Sequence, residues 1–292
     1  MEQLSLTPEQ QPSFEERLKV LIDTARTHLE QRPNDTTDNL RNIEMFEKNF
    51  PAALNADGTA FLTSLNDSEF EKIIGGTFHY YTGNANRSLE TIEPLSVDNL
   101  KSMVDYQRVR GYGHPDLERR KEVSPMPTAQ ELLLGCYIEQ IESQTRDAVL
   151  TLRRKGYQTT ESGFCDEFAG TQFFHLRDAV VVPESLTQGL KEKFGTTVTI
   201  DDGHIHFIPT TYTSLEQWKE CLDYFAEHMP QIGEETFAPV GGAVGFALHA
   251  IETFHMEEVL KTTEDKHERE LIQKLYACKN EDEVVELLKI NK

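Results

Sequence analysis

The run TTVTIDDGHIHFIP, residues 196–209, leaves the chain few ways to fold. Two alternating segments flank Asp201-Asp202-Gly203, a β-hairpin pattern in which the glycine supplies a positive φ at the turn. In strands, residues two apart share a face. Val198, Ile200, Ile205 and Phe207 are therefore expected toward a core, with Thr197, Thr199, His204 and His206 together on the other side.

The same kind of signal occurs once more upstream. YQTTESG at 157–163 and TQFFHLRDAVVV at 171–182 are rich in threonine, aromatic and β-branched residues, and the loop around FCDEFAG joins them. Helical periodicity surrounds both hairpins. Thr128-Ala129-Gln130-Glu131 is a capping box from which one helix is expected to run to Lys155, ended by Gly156. Pro183-Glu184-Ser185 opens a second helix through Phe194, and a third is expected over 214–228 with Leu215, Trp218, Leu222 and Phe225. The fold class is α+β: a central helix-strand-strand-helix-strand-strand-helix unit with a mainly antiparallel four-stranded sheet and helices on one face.

Helical regions flank this unit. Ser13-Phe14-Glu15-Glu16 is a capping box, followed by Leu18, Leu21, Ile22, Ala25 and Leu29 at helical spacing up to Arg32-Pro33. Further helices are expected over 38–50, closed by Pro51; over 60–65; over 68–74, stopped by Gly75-Gly76; and over 97–108. Beyond Pro230 the chain returns to helix over 244–260, 266–278 and 281–290. At 292 residues the chain exceeds the usual size of one core. The expected organisation is a helical N-terminal region at 1–110, a proline- and glycine-bearing connection at 111–127, the central domain at 128–230 and C-terminal helices at 231–292.

The charge balance limits the function. Asp plus Glu number 50 against 29 Lys plus Arg, a formal net charge of −21. Nucleic-acid affinity depends on neutralising phosphates, so no nucleic-acid partner is expected. The basic runs Arg119-Arg120-Lys121 and Arg153-Arg154-Lys155 are read as structural, the second as a helix end. The cysteines at 136, 165, 221 and 278 form no CxxC pair, which suits a reducing cytoplasm and excludes a zinc ribbon. No run approaches the roughly 18 apolar residues of a membrane span, and no basic segment followed by an apolar one opens the sequence. A cytoplasmic protein without a membrane partner is expected.

Three groups of residues could carry chemistry. His204 and His206 project from one strand face and could begin a divalent-metal site; a third ligand would come from His175 or from the first hairpin, with Glu161 or Glu167 as general base of a hydrolase. Cys165 stands beside Asp166 and Glu167, acids that raise a thiol pKa and oppose a nucleophilic role, so Cys165 and Asp166 are read as ligand contacts. HYYTGNANRS, residues 79–88, is polar and aromatic and suits a ligand-contacting loop through His79 and Tyr80; it lacks the spacing of a phosphate cradle. The run around LNADGTAFLTSL is no calcium loop, since Ala53 and Ser64 stand at its first and last ligand positions. The leading expectation is a binding or interaction protein whose central domain takes a protein or small-molecule ligand; the alternative is a metal-dependent hydrolase.

Overall fold

In the computed structural model, residues 12–30, 36–83, 87–109, 125–177, 180–240 and 242–288 are described. The chain divides into two compact units, Met1–Gly111 and Tyr112–Lys292.

The first unit is helical: α1 (Phe14–Glu30), α2 (Thr36–Ala53), α3 (Ala56–Ser64), α4 (Asp67–Gly83) and α5 (Val97–Val109). The Ser13 box forms as read, with the Glu16 amide donating to Ser13 Oγ at 3.2 Å and the Ser13 amide to Glu16 Oε2 at 2.8 Å. The helices bury one aromatic cluster, in which Phe46 stacks on Phe50 at 4.7 Å and Phe14 meets Phe70 edge-on at 6.0 Å. Arg17 stands 4.0 Å over the Phe70 ring and donates to the carbonyls of Leu62, Thr63 and Leu65, closing the end of α3.

Two stop signals in this unit fail. Pro51 lies in the last turn of α2 rather than after it, because burial of Phe50 and Ala53 holds the turn together despite the missing donor. Gly75-Gly76 does not end α4. The stripe Phe70, Ile73, Ile74, Thr77 and Tyr81 stays buried across it, and a side chain at Gly76 would meet Gln107 of α5 at 2.5 Å. Gly76 serves packing, whereas a side chain at Gly75 would meet nothing within 4 Å.

The second unit holds α6 (Ala129–Leu134), α7 (Arg146–Arg154), β1 (Thr159–Asp166), β2 (Thr171–Leu176), α8 (Glu184–Phe194), β3 (Thr196–Asp201), β4 (His204–Pro209) and α9 (Leu215–His228). The α10 (Ala243–Thr253), α11 (Met256–Val259), α12 (Lys266–Ala277) and α13 (Glu281–Leu288) helices follow. The sheet is antiparallel throughout with order β1-β2-β4-β3, so the α+β class and the αββαββα core stand. Asp202 and Gly203 have φ of 43° and 80°, and the hairpin turns where the sequence places it.

The helix expected over 128–155 is three pieces. The Thr128 box forms, with the Glu131 amide donating to Thr128 Oγ1 at 3.2 Å, but Gly135 caps α6 in the left-handed region. A side chain at Gly135 would lie 2.5 Å from Ala243 Cβ, so this glycine lets α10 approach. A 3-10 turn at Ile138–Gln140 follows, and Arg146 ties the loop by donating to the Ile141 and Glu139 carbonyls.

One face of the sheet is covered by α7, α8 and α9. Phe174, Phe207 and Phe225 interlock with ring separations of 4.9 to 6.1 Å, beside the fully buried Trp218 and Leu222. Ile200 departs from expectation: on the edge strand, three residues before the turn glycine, it is 47% exposed. A second cluster joins Leu132 and Leu133 of α6 to Ala247, Ile272, Leu275 and Val284 of the C-terminal helices. The connection at 111–127 lies outside the described residues up to 124, as do the expected ends of α1 at 31–33 and of α13 at 289–290. Among the described residues no helix is long and apolar enough to cross a membrane.

Candidate functional site

Strand pairing assembles the histidines. His175 stands opposite His204, and Phe173 opposite His206, so residues some 30 apart in sequence share the sheet face that α7, α8 and α9 leave uncovered. Glu161 of β1 stands opposite His175, and Asp201 of β3 opposite His204. The face thus reads acid, histidine, histidine, acid across four strands. His175 and His204 stack at 4.1 Å with an interplanar angle of 12°, and His206 lies 5.9 Å beyond His204 at 13°. Phe173 packs nearly parallel to both, 6.0 Å from His204 and 6.4 Å from His206. All four rings are half-buried, and Ile208, 40% exposed, continues the face.

This arrangement brings His175, His204, His206 and Glu161 together but does not build a chelate. A metal needs lone pairs converging on one point about 2.0–2.1 Å from each nitrogen, whereas lone pairs of stacked rings lie in parallel planes. His175 Nδ1 is engaged by the Thr160 hydroxyl at 2.8 Å. Among the described residues no group of three or more histidine, cysteine or acidic side chains could hold a metal ion.

The remaining expected residues fall elsewhere. Cys165 and Asp166 end β1 and Glu167 follows in the turn, about four residues or ~13 Å along the strand from the level of His175. Asp166 Oδ1 accepts the amides of Phe168 and Ala169, which organises that turn. The exposed Cys165 thiol is held above its usual range by desolvation and by the charges of Asp166 and Glu167. His79 and Tyr80 belong to the first unit. They sit in the last turns of α4, not in a loop, and Tyr80 carries the Arg87 guanidinium 5.2 Å from its ring centre; residues 84–86 lie outside the described residues.

A second location has no precedent in the sequence reading. Arg153, at the end of α7, and Glu235, on the segment after α9, are both buried and face each other. Arg153 donates to the carbonyls of Leu133 and Thr236. Burial lowers the Arg153 pKa and raises that of Glu235, and the attraction between them offsets each shift only in part. Lys155 caps α7 through its backbone amide, but its ammonium takes the carbonyls of Glu227 and Met229 at 2.5 and 2.7 Å, ending α9. Arg153-Arg154-Lys155 is a helix end, as read, but it serves three different neighbourhoods. The one available signal was Glu234-Glu235 in the loop after Pro230, a pair of acids that sequence alone cannot set opposite a particular arginine.

Comparison with protein-family models, curated proteins and solved structures finds no match.

Proposed function

We propose that this is a binding protein of a reducing, cytoplasmic setting, and that the uncovered sheet face docks a protein partner. The single observation that carries the reading is the parallel, half-exposed stack of Phe173, His204, His175 and His206 at the middle of that face. Aromatic groups are enriched where interfaces desolvate, and a flat sheet face suits a protein better than a small molecule, which favours concave sites. The exposed hydroxyls of Thr197 and Thr199 and the acids Glu161 and Asp201 frame the stack as a polar rim. A formal net charge of −21 favours a neutral or basic partner over an acidic one.

The test is site-specific photo-crosslinking in cells of the source organism. A photo-reactive residue at Thr199, exposed on this face, is expected to give a discrete crosslinked partner, whereas one at Glu216 on α9 is not. The Thr199 product should fall away in a Phe173→Ala, His204→Ala double variant. Equal products from both positions, or a product indifferent to the double variant, would refute the reading.

A further inference from the structure

An open cleft of about 590 Å³ lies where the segment carrying Glu234 and Glu235 meets the start of α12 and the end of α7. Acids dominate its walls, but two of them are already engaged. Asp265 Oδ1 accepts the Glu268 amide at 2.9 Å, and Glu268 Oε2 accepts the Thr263 hydroxyl at 2.5 Å, the ordinary business of starting α12. The other three are Glu264, Glu234, which faces His267, and Glu235, which faces Arg153.

Glu235 is the unusual one. Its side chain is 5% exposed, yet it lines the cleft, and among the described residues no hydrogen bond reaches its buried Oε1. The Arg153 Nε, at 3.7 Å from Oε1, is beyond hydrogen-bond distance. Buried carboxylates without donors are uncommon, because each unmet lone pair keeps its desolvation cost. A donor arriving from the cleft would meet that need. The complementary need is present on the same walls: Gln130 Nε2 is a buried donor with no acceptor among the described residues. Arg154, exposed at the cleft, forms no salt bridge among the described residues despite the acids around it. His267 spends Nε2 on the Glu235 carbonyl at 2.6 Å and sets Nδ1 3.6 Å from Glu234, which holds this wall in place.

From this juxtaposition we infer that the cleft binds a zwitterion of the amino-acid class, its ammonium group on Glu235 and Glu234 and its carboxylate on Arg154 and Gln130. A dication would leave Arg154 and Gln130 unmatched, and a dianion would face three carboxylates. Arginine presents paired donors that suit a carboxylate, and charge-assisted hydrogen bonds at both ends would fix the ligand's direction. The ligand is either a free amino acid or a short peptide with free termini. The inference is independent of the sheet face.

Isothermal titration of the full chain with a panel of L-amino acids and with dialanine tests it, using cadaverine as the cation-only control and succinate as the anion-only control. At least one zwitterion is expected to bind with one-to-one stoichiometry; an amino acid in preference to dialanine identifies the free form, and the reverse identifies a peptide. Arg154→Gln, at an exposed residue without a salt bridge among the described residues, should weaken that zwitterion roughly tenfold or more while leaving the fold intact. Glu235→Gln should do the same. Two results overturn the inference: no zwitterion in the panel binds, or cadaverine binds as tightly as any zwitterion and Arg154→Gln changes nothing. The second would reduce the cleft to an acidic patch.

Discussion

Arg153 and Glu235 face each other inside the second unit, Nε to Oε1 at 3.7 Å, with side chains only 1% and 5% exposed. The two are not equivalent. Arg153 also holds the Leu133 and Thr236 carbonyls, so its loss opens a cavity, strands two acceptors and leaves a buried carboxylate uncompensated. Arg153→Ala is expected to cost about 3–5 kcal/mol in urea unfolding, the range for breaking a buried pair from one side. Glu235→Gln keeps the volume and removes the charge that burial disfavours; it deprives Arg153 of its counter-charge but leaves it the Leu133 and Thr236 carbonyls and opens no cavity, so it should cost less. Equal losses would contradict this asymmetry.

The same carboxyl gives a pH dependence with a definite sign. Burial raises the Glu235 pKa above its unfolded value, so its contribution is fully present below the unfolded value and is lost as pH rises through the folded one. Wild type should therefore gain stability relative to Glu235→Gln as pH falls from neutrality toward the ordinary glutamate range near about 4.3. The relief of general acidic repulsion is shared by both proteins and cancels in the difference. Paired melting curves at several pH values check it; a difference flat with pH, or of opposite sign, would count against a buried, disfavoured carboxylate.

Gly156 ends α7 at φ +91°, and a Cβ there would stand 2.7 Å from the Gly233 backbone. The Lys155 carbonyl beside it accepts the Ile232 and Gly233 amides at 2.9 and 3.2 Å, tying the segment that carries Glu235 to α7. Gly156→Ala is expected to destabilise by at least about 1–2 kcal/mol from the backbone conformation alone, with the clash added to it. Because the shift falls on the Glu235 segment, zwitterion binding at the cleft should weaken in the same variant.

Cys165 is exposed but should be a slow nucleophile. Its thiol is raised by desolvation, Asp166 and Glu167, so near pH 7 less of it is thiolate than of a free cysteine. Alkylation by iodoacetamide, followed by peptide mass spectrometry, should be slower at Cys165 than for glutathione and should accelerate on raising the pH. Cys136 and Cys221, whose thiols burial pushes up to about 11, should label only on unfolding. Fast labelling of Cys165 at neutral pH would reopen a catalytic role.

The stacked imidazoles predict the metal content. Elemental analysis of untagged protein purified without chelator should give the same zinc, manganese and iron for wild type and for a folded His204→Ala, His206→Ala variant. Near-stoichiometric metal lost in the variant would mean that the rings turn to converge, and would bring back the hydrolase alternative with Glu161 as its base.

Local chemistry determined much of this molecule without help from distant contacts. The capping boxes at Ser13 and Thr128 and the Asp202-Gly203 turn form where the sequence writes them, because each is settled within a few residues. The alternation in 196–209 likewise set which face His204 and His206 share, since strand period is a property of the backbone. What lay beyond the sequence was everything decided by a neighbour far along the chain. Gly75-Gly76 carries the same stop signal as any helix end, yet a buried stripe overrode it; Gly135 broke a helix where α10 needed room. The sequence offered His175 as one of several third partners, and β2–β4 pairing selected it but stacked the rings instead of converging them. Arg153 and Glu235 are 82 residues apart by number, and only the folding of the second unit around α6 and α7 brings their buried charges together.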